Sequence, residues 1–469
     1  MVPTTTALLG GLLLAATGVN AQAAKMQVDL DSPDSVRSAA EIVARNLYSY
    51  YHGDEPGQTP GILPGPPPGG PYYWWQAGAM WGTYVDYWFY TGDDTYNKEA
   101  MRSMVFQAEA PVNAYMPKNW TASLGNDDQG FWGMAALLAA EVNFPNPPKD
   151  QPQWLALAQA VFNTQVTRWE EQDCAGGLRW QVVSTNGGYD YKNTIANAVF
   201  MNIASRLARY TNNGTYSEWA TKAWDWMEAM GYITDKYDVL DGGHIPHNCT
   251  DVNPVQFSAN AAILIHAAAV MYNHTTGEAR TKWRGHVAGL LNRTIDHFFP
   301  EGIMVERACE LEDRVQCNTD QHSFKGYMHR ALATVAVLAP FTFDTVVRTL
   351  RSSTEGAVAS CLADGTCGFR WDRGEYDGDT AVAAGQQMSA LAALSTMLIN
   401  QQRVLNGPLT NTTGGTSQGD PNAGQKFEGI SPPRPITTGD RAGAGIVTAV
   451  VLASFLGSIV WMGMSWSER

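Results

Sequence analysis

Apolar residues recur at helical spacing from Asp34 to about Gln402, and few alternating runs suggest strands. Turn signals divide this pattern into segments, for example TGDD at 91–94 and TNNG at 211–214. The predicted helices are 35–52, 74–90, 97–115, 127–142, 152–171, 191–210, 216–230, 257–273, 278–298, 325–339, 342–362 and 378–402. The domain should therefore be nearly all α, with its helices in six hairpins.

Many of these helices have an alanine-rich face, such as AALLAAE at 135–141 and ANAAILIHAAAVM at 259–271. Small residues let helices approach closely, as the inner ring of a closed barrel requires. Six hairpins of this kind predict an (α/α)6 barrel. An α-solenoid has similar hairpins, and no clear repeat in the sequence separates the two folds.

The two ends of the chain are apolar in different ways. The run LLGGLLLAATG at 8–18 is too short to span a bilayer and precedes small residues at Ala21 and Ala23, which predicts a cleaved signal peptide over 1–21. No basic residue precedes it, so a buried N-terminal segment is the alternative. The uncharged run 442–464 is long enough to cross a membrane, and only five residues follow it.

A polar stretch rich in Gly, Pro and Thr precedes this second run, as in a GPI-attachment signal whose apolar tail is removed. We expect the signal over 442–469, with Gly439 as a candidate attachment residue. The alternative is a single-pass helix with a short cytoplasmic stub. The remaining chain divides into a catalytic domain over 22–402 and a flexible linker over 403–441.

Other features of the composition agree with export. Six N-x-[ST] sequons predict N-glycosylation, at Asn119, Asn213, Asn248, Asn273, Asn292 and Asn411. An even count of six cysteines predicts disulfides, with close spacings at Cys309/Cys317 and Cys361/Cys367 that leave Cys174 for Cys249, although fifteen pairings are possible. The net charge of −14 and the lack of a basic stretch argue against a nucleic-acid partner.

The chain holds sixteen tryptophans, several of them near loops: Trp74, Trp75, Trp120, Trp132, Trp180 and Trp371. Flat aromatic faces bind the C–H faces of sugar rings, while carboxylates and amides take the hydroxyls. Carbohydrate is therefore the expected ligand class, although most of these rings also suit ordinary helix packing. The Pro/Gly-rich loop 53–70 is expected to line one rim of a cleft.

The segment GNDDQGFW at 125–132 begins a strongly apolar helix. A purely structural interpretation makes Asn126 the N-cap and Gln129 the third helical residue of a capping box, with the acidic pair complementing the helix dipole. Asp93 and Asp94 form another acidic pair after a helix-ending glycine, to which we assign no chemistry. An acidic pair alone is therefore weak evidence of catalysis.

Several long motifs occur in the order found in glycoside hydrolase family 76: YYWWQAGAMWGTYVDYWFYTGD, GNDDQGFWGMAALLAAEVNFP, GGLRWQ, YDYKNTIANAVFMNIASRLARYT and DQHSFKGYMHR. The chain resembles the fungal GPI-anchored cell-wall branch of that family. The resemblance covers nearly everything between the signal peptide and the linker. It implies a retaining endo-α-1,6-mannanase-type enzyme on an (α/α)6 barrel, with two consecutive catalytic aspartates.

The resemblance makes Asp127 the nucleophile and Asp128 the general acid/base. A retaining glycosidase needs carboxyl groups about 5–5.5 Å apart, and adjacent helical residues diverge by roughly 100°, so neighbours can straddle one bond. Helix-terminal N–H groups would keep Asp127 ionised, whereas Asp128 needs a raised pKa. Trp132, four residues on, was placed to shelter Asp128 on the same helix face.

The other motif residues predict the walls of a sugar cleft. We expect stacking platforms at Trp74 and Trp75, hydroxyl partners at Asn126 and Gln129, and further subsite contacts at Trp180, Tyr191, Lys192, Asn193 and Asp241. Lys192 is equally suited to a structural ion pair, and Asp241 to a plain Asp-Gly turn. An aromatic Ser-Tyr-Asn-like motif is replaced by FSANA at 257–261, which puts that subsite wall in doubt. The histidines suggest no metal cluster, and no cofactor is expected.

These observations predict an extracellular α-mannosidase-type enzyme on the outer face of the plasma membrane and in the cell wall. The resemblance implies mannose-containing glycans as substrates, either the GPI-core glycan or α-1,6-mannan, and a wall polysaccharide as acceptor. Two alternatives stay open: an endo-α-1,6-mannanase acting purely as a hydrolase, and a glycan-binding wall adhesin without catalysis. The intact aspartate pair favours the enzymes, since a binding module needs no such pair.

Overall fold

The protein was analysed as a computed structural model, which describes residues 24–311, 314–315, 317–378, 382–425 and 438–466. All twelve predicted helices of the domain are present. They are α1 (Pro33–Tyr48), α2 (Trp74–Thr91), α3 (Asn97–Gln107), α4 (Asn126–Glu141), α5 (Trp154–Val166), α6 (Thr194–Thr211), α7 (Gly214–Ala229), α8 (Ser258–His274), α9 (Gly277–Phe298), α10 (Phe324–Leu338), α11 (Phe343–Ala359) and α12 (Ala384–Thr396). The all-α prediction is confirmed.

The even-numbered helices form a closed inner ring. Each of α2, α4, α6, α8 and α10 packs against the next even-numbered helix, and α12 packs back against α2. The odd-numbered helices lie outside, each beside its hairpin partner. Ring closure confirms the (α/α)6 barrel and rules out an open α-solenoid.

The sequence separates the two rings by where its apolar residues lie. Inner helices are buried almost all round, as in α8, whereas the outer helices α1 and α11 bury one stripe and expose charged residues on the other. Close packing depends on small residues: a methyl group at Gly130 would lie 2.1 Å from the Val199 side chain on α6. The alanine and glycine faces therefore set the spacing of the inner ring.

Two predicted boundaries differ from the structure. The third helix was expected to reach 115 but ends at Gln107, because Pro111 disfavours a helical residue before it and Glu109 adopts a left-handed φ of 57°. The sixth was expected from 191, yet residues 191–193 are extended and Asn193 caps α6 by accepting from Ala196 N. Both errors come from local backbone signals that helical periodicity does not contain.

Short strands and disulfides fix the loops at the helix starts. Strand β1 (Tyr191–Asn193) pairs antiparallel with β2 (Gly242–His244), and β3 (Glu310–Leu311) pairs with β4 (Arg314–Val315). The disulfides are Cys174–Cys249, Cys309–Cys317 and Cys361–Cys367, the pairing that the spacings favoured. The first of them joins the loop before β1 to the loop after β2.

Residues 407–425, here called the C-terminal strap, pack on the outside of the barrel. Leu409 N donates to Glu141 O at the end of α4, and Leu155 N at the start of α5 donates to Ser417 Oγ. Further along, Asp420 N donates to Gln159 Oε1, and Asn163 Nδ2 donates to the carbonyls of Pro421 and Ala423. The strap therefore climbs along α5, and its packed course differs from the flexible linker expected over 403–441.

Two further helices belong to the C-terminal part of the chain. α13 (Gln402–Leu405) precedes the strap, and α14 (Thr438–Trp466) holds an apolar stretch, Arg441–Ile459, that is long enough to cross a membrane and is not buried against the barrel. The predicted signal peptide over 1–21 lies outside the described residues. Removal of α14 as a GPI signal stays a prediction.

Five of the six sequon asparagines are exposed, and the sixth is built into the fold. Asn119, Asn213, Asn248, Asn292 and Asn411 are exposed. The side chain of Asn273 accepts from Arg209 Nε at 2.9 Å and donates to Leu338 O at 3.1 Å. A glycan would occupy the nitrogen that makes the second bond, so Asn273 fits a structural role better than modification.

Candidate active site

A cavity of about 560 Å³ opens at the N-terminal ends of the inner helices. Residues at or next to the starts of α2, α4, α6, α8 and α10 line it, so the positive ends of several helix dipoles point into it. The lining includes Tyr73, Trp75, Asp127, Asp128, Phe131, Trp180, Tyr191, Asn193, Asp241, Phe257, Asn260, Asp320 and Phe324. Within the part of the chain that the structure describes, the lining carries carboxylates and aromatic rings but no lysine or arginine.

The first turn of α4 presents the two predicted catalytic aspartates to this cavity. Gly125, rather than Asn126, is the N-cap, and Asp128 at the third helical position accepts from Gly125 N at 2.7 Å. Asp128 thereby takes the capping-box position expected for Gln129. The register is one residue earlier than predicted because the Asn126 side chain bonds to Arg168 and Arg179 O instead of capping the helix.

The N-cap glycine has a direct bearing on the carboxyl groups. A methyl group at Gly125 would lie 2.2 Å from Asp127 Oδ1 and 3.1 Å from Asp128 Oδ2. These two oxygens are therefore separated by at most the sum of those distances. This upper limit is below the separation of about 6.5–9.5 Å in an inverting glycosidase and is compatible with the separation of about 5–5.5 Å in a retaining one.

Asp127 is oriented by donors. Trp180 Nε1 donates to Asp127 Oδ2 at 3.1 Å, and Trp180 is held because Asn126 N donates to its carbonyl at 2.8 Å. Burial and the charge of Asp320 raise the pKa of Asp127 to about 7, while the backbone N–H groups of Asp127 and Asp128 and the Trp180 indole limit that rise. These donors favour the ionised form that a nucleophile needs.

Asp128 has the opposite balance. Burial raises the pKa of Asp128 well above its usual range, and the negative charges of Asp127 and Asp320 raise it further, against one hydrogen bond from Gly125 N. Of the two neighbouring carboxyls, Asp128 is therefore the one that holds the proton. The two carboxyls therefore have the divergent environments that an acid and its ionised partner need, and their catalytic roles stay predictions.

Aromatic rings form the walls around the pair. Trp75 and Phe131 pack with ring centroids 4.5 Å apart, and Trp180 is 36% exposed, as a stacking surface requires. Phe257 also lines the cavity, so an aromatic side chain is present where the FSANA segment had left the wall in doubt. The cleft thus combines apolar faces with a few oriented carboxyls, as carbohydrate sites do.

The hairpin of β1 and β2 holds the opposite side of the cavity. Tyr191 Oη donates to Asp241 Oδ2 at 2.8 Å, and Asn253 Nδ2 donates to the same oxygen at 3.4 Å. Burial raises the pKa of Asp241, and these hydrogen bonds lower it. Asn193 lines the cavity as well, so the structure brings together Tyr191, Asn193 and Asp241 as the sequence predicted.

Other predicted contacts lie behind the cavity wall. Asn126 and Gln129 are buried and both accept from the Arg168 guanidinium, and Gln129 Nε2 also donates to Ala114 O at 2.8 Å. Their amides hold α5 against the first turn of α4 and do not face sugar. They therefore position the aspartates without touching a ligand.

Trp74 and Trp132 also lie behind the wall. Trp132 is fully buried and stacks between Trp74 and Tyr115, with centroid distances of 5.2 and 5.4 Å. Trp74 Nε1 donates to Gln107 Oε1 at 2.8 Å. Phe131, and not Trp132, lines the cavity beside Asp128.

Of the two interpretations of Lys192, the structure favours the structural ion pair. Lys192 is fully buried and donates to the carbonyls of Asp173 and Gly176 at 2.8 and 2.7 Å, and it pairs with Glu170 at 3.0 Å. Burial lowers the pKa of Lys192. The ammonium ties the loop before β1 to the hairpin and lies outside the cavity lining.

Sequence reasoning missed Asp320, Phe131, Phe257 and Asn260 as cleft residues. All four stood inside quoted segments: Asp320 begins DQHSFKGYMHR, Phe131 lies in GNDDQGFW, and Phe257 and Asn260 lie in FSANA. No spacing or charge pattern marks them, because the barrel brings together helix starts that are far apart in sequence. A carboxylate just before a predicted inner helix was the available signal for Asp320.

Comparisons with known proteins agree with this geometry. The model of glycosyl hydrolase family 76 matches residues 35–412. Mannan endo-1,6-alpha-mannosidase DCW1 of Eremothecium gossypii is 43% identical over 96% of this chain and 97% of its own, and the Saccharomyces cerevisiae protein of that name is 42% identical over 96% and 97%.

Solved structures show the same fold. The crystal structure of Dfg5 from Chaetomium thermophilum in complex with glucosamine has a TM-score of 0.80 and 49% identity, covering 86% of this chain and 98% of that one. An α-1,6-mannanase of Salegentibacter has a TM-score of 0.62 at 15% identity, covering 78% of this chain and 100% of that one, which shows the fold alone. The chain is a glycoside hydrolase and belongs to glycosyl hydrolase family 76.

Proposed function

We propose that the protein is an extracellular retaining α-mannosidase that cleaves an α-mannoside, such as the GPI-core glycan, and transfers the mannosyl group to a cell-wall polysaccharide. The observation that carries the proposal is the close, differently protonated pair of Asp127 and Asp128 at the start of α4. The names of the relatives support an α-1,6-mannoside bond, since they are mannan endo-1,6-alpha-mannosidases. The glucosamine bound to the Chaetomium protein supports a GPI-core donor.

In the first step, a carboxylate oxygen of Asp127 attacks the anomeric carbon of the donor mannose. The bond from that carbon to the leaving oxygen breaks, and Asp128 gives its proton to that oxygen. A mannosyl ester on Asp127 results. Trp180 and the first-turn N–H groups orient the attacking carboxylate, so little rearrangement precedes the attack.

In the second step, Asp128, now ionised, takes the proton of an acceptor hydroxyl. The acceptor oxygen bonds to the anomeric carbon, and the Asp127 carboxylate leaves. Water as acceptor gives hydrolysis, and a polysaccharide hydroxyl gives a new glycosidic bond. The first step is common to both outcomes, so the endo-α-1,6-mannanase acting purely as a hydrolase is the second candidate function.

Membrane anchoring would place the enzyme close to its donor substrate. In this proposal a GPI anchor attached near Gly439 replaces α14 and holds the enzyme at the outer leaflet, where lipid-linked GPI glycans stand. The strap supports this location because it follows α5 from its first residues toward its last. It thereby leads the chain toward the end of the barrel at which the cavity opens. From Gln425 to Gly439 an extended chain spans at most about 50 Å.

The experiment incubates the secreted enzyme with a mannosylated GPI-core glycan and a wall polysaccharide, and follows products by mass spectrometry. A new conjugate of glycan and polysaccharide supports transfer, free reducing mannosides alone support the hydrolase, and binding without turnover supports the adhesin. Asp127→Asn should abolish all turnover. Asp128→Asn should lose about 10²- to 10⁴-fold on unactivated glycans but still form the mannosyl ester from a donor with a good leaving group.

A further inference from the structure

Asp320 is a half-buried carboxyl of the cavity that the mechanism above does not use. Asp320 immediately precedes the short helix Gln321–Ser323, which leads into α10. One side-chain oxygen accepts from Trp75, and Oδ1 has no hydrogen-bond partner among the described residues. Asp320 therefore holds an unused acceptor inside the same cavity as the catalytic pair.

The carboxyl is held in place from several sides. Thr319 Oγ1 donates to Pro71 O at 3.0 Å, and Gln76 Nε2 of α2 donates to Thr319 O at 2.9 Å. The disulfide Cys309–Cys317 closes the loop just before this segment. A backbone segment fixed in this way suits a residue that must contact a ligand at one position.

The negative charges around Asp320 make its carboxylate destabilising to the fold if it has no binding partner. Asp127 and Asp128 face it from α4, Asp241 faces the cavity from the segment before β2, and the described residues of the lining include no lysine or arginine. A buried carboxylate without a cation or a full set of donors is destabilising. A ligand that donates a hydrogen bond to Asp320 would offset this destabilisation.

We propose that Asp320 is a specificity-determining residue that accepts a hydrogen bond through Oδ1 from one hydroxyl of the bound donor mannose. This inference rests on the proposed function. It assigns recognition of the sugar to one side chain, whose charge also raises the pKa of Asp128. No atom of Asp320 takes part in bond making or breaking.

The first test uses mannosyl donors that each lack one ring hydroxyl. The wild-type enzyme should lose about 10- to 100-fold in kcat/KM on one of these donors, as expected for a lost hydrogen bond to a charged group. Asp320→Ala should show no extra loss on that donor and should resemble wild type in its losses on the others. Equal losses in wild type and Asp320→Ala on every donor would overturn the proposed contact.

The second test is the pH dependence of kcat/KM in the isosteric variant Asp320→Asn. The pKa of Asp320 is about 6, raised by burial, so the carboxyl is charged above that pH. Its charge raises the pKa of both catalytic aspartates. Removing it should lower both, so the acidic and the alkaline limbs of the profile should move to lower pH. A profile that stays in place would refute the electrostatic role.

Asp94→Asn is the matched control, because Asp94 is an exposed acid in the loop after α2, at the far end of that helix. It should leave the donor preference and both limbs unchanged. Melting temperatures establish that each variant is folded. A wild-type enzyme inactive on every mannosyl donor contradicts the proposed function itself, whereas an active wild type matched by both Asp320 variants contradicts only this inference.

Discussion

At the scale of single residues, Gly125 has the most constrained place in the site. Its φ of −92° suits any residue, so an alanine there would not strain the backbone. Its methyl group would instead lie 2.2 Å from Asp127 Oδ1 and displace the proposed nucleophile. We expect Gly125→Ala to lower kcat/KM by at least about 10²-fold, since a displacement near 1 Å has that effect on a positioned group. Steady-state assay on an α-1,6-mannoside measures it.

The matched control is Gly285→Ala, in the middle of α9, where a methyl group meets no atom within 4 Å. Activity should be unchanged, and stability should rise by about 0.5–1 kcal/mol because alanine is the better helix former. A Gly125→Ala enzyme with wild-type kcat/KM would show that the carboxyl of Asp127 does not need its present position.

The residue scale also shows what the sequence could identify. The motif order predicted Asp127, Asp128, Trp75, Trp180, Tyr191, Asn193 and Asp241, and the structure brings all seven into one cavity. It could not separate a residue that faces sugar from its neighbour that faces the barrel wall. Trp74 beside Trp75 and Lys192 beside Tyr191 are examples, because a motif carries both and only packing decides which way each points.

At the scale of elements, the β1–β2 hairpin depends on a buried cation. Lys192→Met keeps the aliphatic stem but leaves the carbonyls of Asp173 and Gly176 without their donor and removes the partner of Glu170. Breaking a buried pair of this kind costs about 3–5 kcal/mol, less here because Glu170 keeps Arg179 and some solvent. We expect a loss of about 2–4 kcal/mol in unfolding free energy, measured by denaturant titration.

Lys282→Met provides the comparison at the surface. Its partner Asp225 lies 3.4 Å away, and both side chains are about half exposed, so the change should stay below about 1 kcal/mol. A Lys192→Met variant that keeps its stability but loses kcat/KM on α-mannosides would contradict the structural assignment. It would make Lys192 a direct contact of the substrate.

Helical periodicity predicted every element of the barrel because inner and outer helices bury apolar faces of regular period. It failed where a single residue overrides the period. Pro111 stops the third helix early, and Asn193 delays the sixth by capping it. The packed course of the strap was not predicted for a different reason. Its contacts with α5 are backbone and amide hydrogen bonds, and a polar composition alone predicts a flexible linker.

At the scale of the whole molecule, the strap connects the barrel to the C-terminal part of the chain that carries α14. Ser417 Oγ accepts from Leu155 N in a buried position, and Gln159 and Asn163 bond to the strap further along α5. A chain that ends after Asn406 loses all of these contacts, whereas one that ends after Gln425 keeps them. Individual hydrogen bonds contribute about 0.5–1.5 kcal/mol, so we expect the shorter chain to be less stable by about 2–4 kcal/mol.

Thermal unfolding of the two secreted chains measures that difference, and Ser417→Ala in the longer chain should give part of it. Because the strap lies on the outside of α5, the folded shorter chain should cleave a small soluble α-mannoside with unchanged kcat/KM. Equal melting temperatures would mean that the strap does not hold to α5 in solution. The chain would then leave the barrel at the end of α13. The proposed membrane anchor would no longer lie on the side on which the cavity opens.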